Sequence, residues 1–568
     1  MSLSETTSAA RLATAGRIAP AVLVTLAVGL LAALPLGRLM VTALVGMDGL
    51  DIEPFITRLM RGTTQRAIFN TVDTALVGAL MALAIGGPFA FCVALTDMPL
   101  RRLQGFVLLL PLMIAPQVTA LAYMQLLGPS SALLGAVGLA PDPGTPNPLL
   151  GRGGIILLYG IQHAPIVFIT LRAGLTALPR DYVEAARAAG VAPWRVVATV
   201  ILPLLWPYVV AAAALAFVSG VGNFGIPALL GVPANYLTLA TLIYQQLASN
   251  GPSVLPQVAM LSLMIAAIAI AGILVQAFGQ RKVNFAISRG LPARFALGAW
   301  RWPVCLLGLV LIGATLVLPL LALVTTSLVP AYGVRLSLAT LTLDNYAEVL
   351  FRQASTIRAF FNSFYLSGLA ALILALVAVP LAMGLRRMPM RPRQALQGLV
   401  DLPYALPGIV LAIACILLFL RPLPLIGSLY NTPWIILAAY LMRFAALAVK
   451  PTDAALGQIP KAMGEAAAAA GAGPFRRLLT ITLPLAAPAA GAGALLVFMS
   501  AFNELTVSAL LWSNRNETLG VILFSLEEAG LSTQASAIAV VTVAVVIGLL
   551  LLLDRLAPRL PPGILPWR

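Results

Sequence analysis

The chain has 568 residues, of which 60% are hydrophobic and only 10% are charged. Soluble globular proteins carry about 25% charged residues, so this composition excludes a soluble enzyme or binding module and places the chain in a lipid bilayer. The formal net charge of +16 would suit a nucleic-acid partner, but its unequal distribution between the loops indicates membrane orientation instead.

Apolar stretches near 20 residues long occur along the whole chain. A helix of that length crosses roughly 30 Å of hydrocarbon, so we predict an all-α integral membrane protein with about 12 transmembrane helices. The predicted spans of the first half are 18–46, 70–95, 104–127, 153–178, 204–230 and 255–279. Those of the second half are 303–329, 361–385, 396–420, 433–450, 485–511 and 535–556.

The basic residues divide unequally between the two sides of these spans. Of the 35 Lys and Arg residues, 23 lie in loops on the side of the N-terminus and nine lie in loops on the opposite side. Loops rich in Lys and Arg remain in the cytoplasm. We therefore predict that both termini are cytoplasmic.

One stretch of sequence occurs twice. EAARAAGVAPWRVVATVILPLLWP, residues 184–207, and EAAAAAGAGPFRRLLTITLPLAAP, residues 465–488, are identical at 13 of 24 positions with a constant offset of 281. Upstream, RAIFNT from Arg66 matches RAFFNS from Arg358 at an offset of 292. Such a repeat predicts two halves with six spans each in the same orientation. The predicted domains are residues 1–280 and 303–568, joined by a basic cytoplasmic linker over 281–302.

The repeated stretch predicts two short helices with a bend between them. Asp181 and Glu184 have the spacing of a capping box, so the first helix is expected to begin at Asp181. Gly190 suits the left-handed position that ends a helix, and Pro193 suits the first turn of the next one. Pro203 is then expected to mark a change of direction into the following span.

Both copies lie on the predicted cytoplasmic face and expose small alanine side chains that another protein can approach closely. A single copy would be explained better by an amphipathic helix that merely connects two spans. Two copies in equivalent loops favour a docking element.

The pattern EAA, three residues, G, nine residues, I-x-L-P resembles the signature loop of MetI-like permease subunits in binding-protein-dependent ABC importers. The second copy fits completely, and the first has Val200 at the Ile position. In that family the loop forms a coupling helix in a groove of the ATP-binding subunit, so the resemblance implies coupling loops at 181–203 and 461–484. The expected contacts in the first loop are Glu184, Ala185, Ala186, Gly190, Arg195, Leu202 and Pro203. Those in the second loop are Glu465, Ala466, Ala467, Gly471, Arg476, Leu483 and Pro484.

The resemblance also implies the partners: two copies of a cytoplasmic ABC ATPase, a periplasmic or lipoprotein substrate-binding protein, and membrane lipid, with no nucleic acid. ATP and Mg²⁺ are expected on the ATPases, and no cofactor is expected on this chain. The residues agree, because none of the three lysines, Lys282, Lys450 and Lys461, follows the glycine that a P-loop requires. The chain is therefore predicted to be a transport subunit of the bacterial inner membrane and not an enzyme.

Four polar residues within or near the spans occupy equivalent positions in the two halves. Gln162 corresponds to Arg443, and Asn223 corresponds to Glu504. Polar groups in a membrane are costly, so they indicate either a translocation path or hydrogen bonds between helices. These four residues are candidates for the path, with interhelical hydrogen bonding as the alternative.

Three other polar residues receive a structural interpretation. Asn70 and Asn362 are expected to cap the helices that they begin. His163 has no second metal-ligating residue nearby in the sequence, so no metal site is predicted.

The stretches NFGIPALLGVPANYLTLATLIYQQL and FNELTVSALLWSNRNETLGVILF resemble the fused permeases of ferric iron importers, with thiamine, 2-aminoethylphosphonate and polyamine importers as alternatives. The resemblance implies alternating access driven by the partner ATPases. The rival from another class is a secondary transporter of about 12 spans coupled to an ion gradient. That mechanism requires intramembrane carboxylates, of which Glu504 is nearly the sole candidate.

Overall fold

The computed structural model describes residues 29, 31, 33–46, 49–142, 144–178, 180–249, 254–280, 295–422 and 427–556. The regular secondary structure of these residues is helical, apart from one antiparallel pair of short strands, β1 (Val45–Gly46) and β2 (Gly49–Leu50). The prediction of an all-α fold is confirmed.

The helices of the first half are α1 (Ala33–Leu44), α2 (Glu53–Met60), α3 (Gly62–Leu95), α4 (Arg101–Val107), α5 (Leu110–Met113), α6 (Pro116–Leu127), α7 (Ala132–Ala136), α8 (Arg152–Thr176), α9 (Arg180–Ala188), α10 (Pro193–Val196), α11 (Leu202–Val221), α12 (Gly225–Leu230), α13 (Leu239–Leu247) and α14 (Val254–Gln280). Those of the second half are α15 (Arg301–Ile312), α16 (Leu318–Ser327), α17 (Asp344–Ala347), α18 (Ala354–Arg387), α19 (Met390–Ala405), α20 (Gly408–Phe419), α21 (Pro433–Gln458), α22 (Lys461–Ala469), α23 (Pro474–Arg477), α24 (Leu483–Phe502), α25 (Ser508–Leu511), α26 (Leu519–Glu528) and α27 (Ser532–Leu556). A 3₁₀ turn covers Gly298–Trp300, and π turns cover Val197–Ile201, Gly313–Val317, Glu348–Arg352 and Leu478–Thr482.

The number of membrane spans agrees with the prediction. In the described part of the chain, nine helices are long and apolar enough to cross a bilayer, and two bent pairs raise the number to 11. The shorter apolar helix α1 falls within predicted span 18–46, most of whose earlier residues lie outside the described part. The linker prediction is affected in the same way, because residues 281–294 are not described.

Two predicted spans are sharply bent rather than straight. Residues 104–127 fall on a helix pair that bends by 103° before Pro116, and 396–420 fall on a pair that bends by 105° at Pro407. The residue before each proline has extended backbone, with ψ of 137° and 149° respectively. A proline disfavours helical conformation at the residue before it, so each span breaks at that point.

The predicted change of direction at Pro203 was wrong. One continuous helix runs over Pro193–Val221, and the π turn Val197–Ile201 lies just before the proline. The second half repeats this arrangement, with Leu478–Thr482 before Pro484. A proline ring clashes with the carbonyl four residues earlier in a regular α-helix. The wider π turn makes room for the ring, so the helix continues past the proline.

Two predicted spans were also placed too far along the chain. The spans predicted at 204–230 and 485–511 end at Val221 and Phe502 and begin earlier than expected. The remaining apolar residues form the short helices α12, α13, α25 and α26. Each half therefore places a pair of short helices between its fifth and sixth predicted spans.

Each half is built around three helices that pack on one another: α3, α8 and α11 in the first half, and α18, α21 and α24 in the second. Glycine permits their close approach. A Cβ atom added to Gly86 of α3 would lie 2.4 Å from the carbonyl oxygen of Ala164 in α8. The two halves also interlock, because α16 of the second half packs against both α6 and α27.

The Asn–Thr and Asn–Ser pairs of the repeated RAIFNT and RAFFNS segments lie inside α3 and α18, so the prediction that they cap these helices was wrong. The side chain of Asn70 donates to Leu237 O (2.9 Å), and Thr71 Oγ1 accepts from the N–H of Leu239 (2.8 Å), which begins α13. The second half repeats both bonds, because Asn362 donates to Glu517 O (3.0 Å) and Ser363 Oγ accepts from the first N–H of α26 (2.8 Å). The hydroxyl of each pair therefore caps a helix that follows much later in the chain, α13 in the first half and α26 in the second.

Candidate coupling surface and translocation path

The two repeat loops, residues 181–203 and 461–484, end their first helix in the same way. Gly190 has a φ of 77° and Gly471 has a φ of 79°. In each loop the glycine N–H donates to the carbonyl three residues earlier, at 2.9 and 3.0 Å, and the next N–H donates to the carbonyl five residues earlier, at 3.1 and 2.9 Å. This is the Schellman arrangement. The local geometry predicted for Gly190 is confirmed.

The predicted capping box of the first repeat loop was wrong. The helix begins at Arg180 rather than at Asp181, which lies in its first turn. The Glu184 carboxylate accepts instead from Arg180 Nε, four residues earlier, and both side chains are about half exposed. An exposed pair of this kind contributes little to stability, so Glu184 remains accessible to a partner.

Most of the predicted contact residues face solvent or lipid. The exposed residues of the first repeat loop are Glu184, Ala185, Gly190 and Arg195, and those of the second are Glu465, Ala466, Gly471 and Arg476. Where the following spans begin, the exposed residues are Leu202, Pro203, Leu483 and Pro484. Two alanines, Ala186 and Ala467, are half-buried. Arg195 lies over the ring of Trp194 at 5.1 Å. The loops therefore present matched faces of small and charged side chains.

Sequence reasoning missed a pair of matched aromatic residues. Trp194 and Phe475 occupy equivalent positions at the offset of 281, and their side chains are 67% and 72% exposed. Tyr182 and Met463 are equivalent as well, and are 56% and 43% exposed. Large apolar side chains exposed in matched loops indicate a protein contact. The signal was available, because both pairs stand in otherwise polar or alanine-rich stretches.

The two repeat loops differ in how they are anchored. Val183 and Val196 are buried in one apolar cluster in the first loop. Their equivalents in the second loop are Gly464 and Arg477, and Arg477 Nη1 donates to Gly464 O at 3.2 Å. No residue of α22 is buried among those described. The first loop is thus held by apolar packing, and the second by a hydrogen bond.

Phe295, which lies within the predicted linker, also contacts the first repeat loop. Its N–H donates to Leu95 O at 2.7 Å. Two residues later, the N–H of Leu297 donates to Asp97 Oδ1 at 2.8 Å. The Arg187 guanidinium of α9 lies 4.3 Å from the centre of the buried Phe295 ring. The linker between the halves therefore touches α9 directly.

Gln162 and Arg443 perform the same structural task in the two halves. Gln162 Nε2 donates to Pro111 O (2.5 Å) and Ile114 O (3.1 Å), next to the bend before α6. Arg443 Nη1 donates to Leu406 O (3.3 Å), at the bend before α20. A bend frees carbonyl groups that must be satisfied inside a membrane. Both residues thus have the interhelical hydrogen bonds of the alternative interpretation, and lining of the path remains a prediction for them.

Asn223 and Glu504 also have equivalent roles. Asn223 Oδ1 accepts from the N–H of Ile226 (3.1 Å) in the first turn of α12. The Glu504 carboxylate accepts from the N–H groups of Val507 (2.8 and 3.0 Å) and Ser508 (3.1 Å) at the start of α25. Both side chains are therefore buried helix caps. They lie just after the ends of α11 and α24.

The residues that join the two halves near these caps were not found from the sequence. Asn503 donates to Met113 O (3.1 Å), and Gln117 donates to Asn503 O (3.4 Å). The rings of Phe224 and Tyr244 in the first half meet that of Phe524 in the second, at centroid distances of 5.9 and 6.0 Å, and lie 5.1 Å from each other. This three-ring contact lies at the end of α11 opposite to the repeat loops.

Two carboxylates end α26, close to the three-ring contact along the chain. Burial raises the pKa of both Glu527 and Glu528.

Within the described residues, no group of three or more His, Cys, Asp or Glu side chains is placed to hold a metal ion. His163 is buried beside the ring of Tyr159 at 5.4 Å.

Comparison with known proteins identifies the chain. Residues 77–284 and 375–565, more than half of the sequence, match the family described as binding-protein-dependent transport system inner membrane component. The chain belongs to this family. The two matches place one copy of the permease domain in each half, as the repeat predicted.

Individual permeases of the same kind support the assignment. The chain is 29% identical to the "Probable ABC transporter permease protein y4fN" of Sinorhizobium fredii, over 97% of this chain and 96% of that one. It is 34% identical to the Fe(3+)-transport system permease protein FbpB 2 of Haemophilus influenzae, over 29% of this chain and 32% of that one. It is 28% identical to the molybdenum transport system permease protein ModB of Azotobacter vinelandii, over 31% and 78%. This chain is therefore an ABC transporter permease with its two permease domains in one polypeptide.

Proposed function

We propose that this permease forms the translocation path of an ABC importer and that its two repeat loops dock onto separate ATPase subunits. The observation that carries the proposal is the matched geometry of the loops. Both end a short helix at a left-handed glycine, and both expose an aromatic residue, Trp194 or Phe475, shortly after that glycine. Two identical partner subunits require two such surfaces.

The proposal places the ATPases on the cytoplasmic face, one on each repeat loop, with ATP and Mg²⁺ bound by them. A substrate-binding protein delivers its cargo to the opposite face. Both termini are then cytoplasmic, in agreement with the distribution of Lys and Arg.

The continuous helices explain how movement would pass from the loops into the membrane. Each repeat loop runs without a break from Pro193 or Pro474 into a span that ends at Val221 or Phe502. When the ATPases close, the loops approach each other, and each rigid span moves as one body. The three-ring contact at the far ends of these spans would then separate and open the path outward.

Charge reversal at the first glutamate of each repeated stretch tests the docking surface. Glu184→Lys and Glu465→Lys are each expected to reduce copurification of the ATPase about tenfold, because a carboxylate at a protein contact is replaced by the opposite charge. Glu53→Lys, an exposed reversal at the start of α2 on the opposite face, is the matched control and should bind normally. Normal assembly and uptake in both loop variants would overturn the proposal.

Ferric iron is the proposed cargo. It is supported by two relatives whose names refer to ferric iron transport, FbpB 2 at 34% identity over 29% of this chain and FbpB 1 at 26% identity over 82%. The test is binding of ferric iron and of molybdate by the partner receptor, followed by uptake into vesicles that hold the permease, its ATPase and that receptor. Uptake driven by an ion gradient in vesicles without the ATPase would favour a secondary transporter instead.

A further inference from the structure

Three arginines of the first half surround one pocket on the membrane face that carries the repeat loops. Arg101 and Arg102 begin α4, and Arg172 lies in the last turns of α8, just before the first repeat loop. The pocket has a volume of about 180 Å³ and apolar walls that include Val93 and Phe106. Its lining contains no acidic residue.

Two of the guanidinium groups have a contact that positions them, and none of the three is paired with a carboxylate among the described residues. Arg101 Nη1 donates to Thr96 O at 2.8 Å, and Arg172 lies 6.0 Å from the centre of the buried Phe168 ring. Within the described residues, none of the three arginines forms an ion pair with a carboxylate. Three like charges around one pocket repel each other unless an anion lies between them.

In the second half, the arginines at the corresponding place are neutralised by a carboxylate of the chain itself. At the offset of 281, the residue equivalent to Arg172 is Asp453. The Asp453 carboxylate pairs with Arg386 from the end of α18 and, at 3.3 Å, with Arg393 from the start of α19. Thr176 of the first pocket is replaced by Gly457, against which Arg386 lies. One half thus has two arginines around an aspartate, and the other has three arginines and an open pocket.

The surroundings place the pocket at the membrane surface. Leu100 and Leu103, which flank the arginine pair, are exposed. Helix α15 packs against α4; the exposed Trp300 directly precedes it, and the exposed Trp302 is its second residue. Exposed tryptophans at the start of a span are typical of the boundary between hydrocarbon and headgroups. Basic pockets at that depth suit the phosphate groups of anionic lipids.

We propose that Arg101, Arg102 and Arg172 bind a phosphate group, which takes the place that the Asp453 carboxylate fills in the second half. The expected source is the headgroup of an anionic phospholipid in the cytoplasmic leaflet, whose glycerol and acyl chains would lie against the apolar wall and the exposed leucines. The choice of the cytoplasmic leaflet depends on the orientation proposed above, whereas the phosphate site itself does not depend on it.

Thermal unfolding of the full-length permease, purified in detergent and stripped of lipid, tests the site. Cardiolipin or phosphatidylglycerol is expected to raise the unfolding temperature saturably, while phosphatidylcholine, whose headgroup is neutral overall, has a much smaller effect. Arg172→Gln should raise the half-saturating lipid concentration about fivefold, the value of one arginine at an anionic surface. Arg391→Gln, an exposed arginine on the same face outside the pocket, should respond as the wild type does.

Arg172→Asp provides the sharper variant, because it recreates the arrangement of the second half. Its unfolding temperature without lipid should rise towards that of the lipid-bound wild type, and its response to anionic lipid should be lost. If inorganic phosphate alone reproduces the stabilisation of the wild type, the phosphate site is supported with a soluble source; if only the lipid does, the headgroup is the source.

Three results would overturn the site: no response of the wild type to either probe, an equal response in Arg172→Gln, or weaker ATPase binding by Arg172→Gln in the absence of lipid. The last result would assign the arginines to the ATPase. Failure of the docking proposal is distinguishable, because it would appear in the Glu184→Lys and Glu465→Lys variants and leave the lipid titration unchanged.

Discussion

Two glycines set the geometry of the repeat loops at the scale of single residues. Gly190 and Gly471 have φ values near the left-handed minimum, and a Cβ added to either would meet no neighbouring atom within 4 Å. Any effect of substitution must therefore come from backbone strain and not from a clash. The left-handed conformation costs a residue with a side chain about 1–2 kcal/mol, and a β-branched residue is the least suited to it.

Gly471→Val is expected to distort the end of α22 and to weaken ATPase binding about tenfold, with no change in the unfolding temperature of the membrane spans. The measurement is copurification of the ATPase together with thermal unfolding of the permease. The second repeat loop is the better target of the two, because no residue of α22 is buried among those described.

Gly464→Ala supplies the control for this prediction. Gly464 lies inside the same helix and has open space around it, and alanine is the better helix former by about 1 kcal/mol. This variant should bind the ATPase at least as well as the wild type. Equal binding by Gly471→Val and Gly464→Ala would show that the shape of the turn does not matter for docking.

At the scale of elements, the Asn–Thr and Asn–Ser pairs hold α13 and α26 in place. The hydroxyl of Thr71 accepts the first N–H of α13, and that of Ser363 accepts the first N–H of α26. Both hydroxyls are buried. Their removal leaves a buried N–H without its partner, which costs about 1–3 kcal/mol.

Thr71→Val is therefore expected to lower the stability of the protein in detergent by about 1–3 kcal/mol, measured by thermal unfolding. Thr74→Val is the matched control three residues along the same helix. Thr74 is equally buried, but its hydroxyl only donates to carbonyls of its own helix (2.6 Å to Asn70 O), so its loss strands no donor. The interpretation fails if the two variants are destabilised to the same extent.

The elements that the sequence predicted well are those governed by local rules. The left-handed glycines were predictable because glycine alone takes that conformation without cost. The bends before Pro116 and at Pro407 were predictable in principle from the residue preceding each proline, but the apolar pattern runs through them unbroken. The π turns were not predictable, because Pro203 could either redirect the chain or be accommodated by one wider turn.

The roles of the polar residues depend on tertiary contacts and could not be read from spacing. Gln162 and Arg443 were recognised as equivalent from the offset, but the carbonyls they satisfy lie about 50 and 37 residues away along the chain. Asn70 was placed in the wrong role for the same reason, because its acceptor is Leu237. Equivalence between halves was visible in the sequence, whereas the partner of each residue was not.

At the scale of the whole molecule, the repeat is symmetric in backbone design and asymmetric in charge. Gln162 and Asn223 of the first half are replaced by Arg443 and Glu504 in the second, so a neutral pair becomes a pair of opposite charges. The arginine pocket follows the reverse pattern, since the second half neutralises its arginines with Asp453. The fused chain permits such divergence, because each half is free to specialise while the joint fold is preserved.

The three-ring contact between the halves leads to a prediction for the complete complex. Phe524 is buried and meets Phe224 and Tyr244 at the end of the molecule opposite to the repeat loops. If these rings hold the outer ends of the halves together while the ATPases are apart, their loss lowers the cost of opening outward. Phe524→Ala is therefore expected to raise ATPase activity without the substrate-binding protein about fivefold, at the lower end of typical coupling free energies.

Loss of any buried phenylalanine costs about 3–5 kcal/mol of packing, so the readout must separate opening from simple destabilisation. Phe498→Ala is the matched control, because the ring partners of the buried Phe498 among the described residues, Phe364 and Phe502, both belong to the second half. Both variants should unfold at lower temperature, but only Phe524→Ala should show raised ATP hydrolysis in vesicles that lack the binding protein. Equal hydrolysis by the two variants would mean that the rings stabilise the fold without closing the path. The outer gate would then have to be sought at Gln117 and Asn503, whose hydrogen bonds also join the halves.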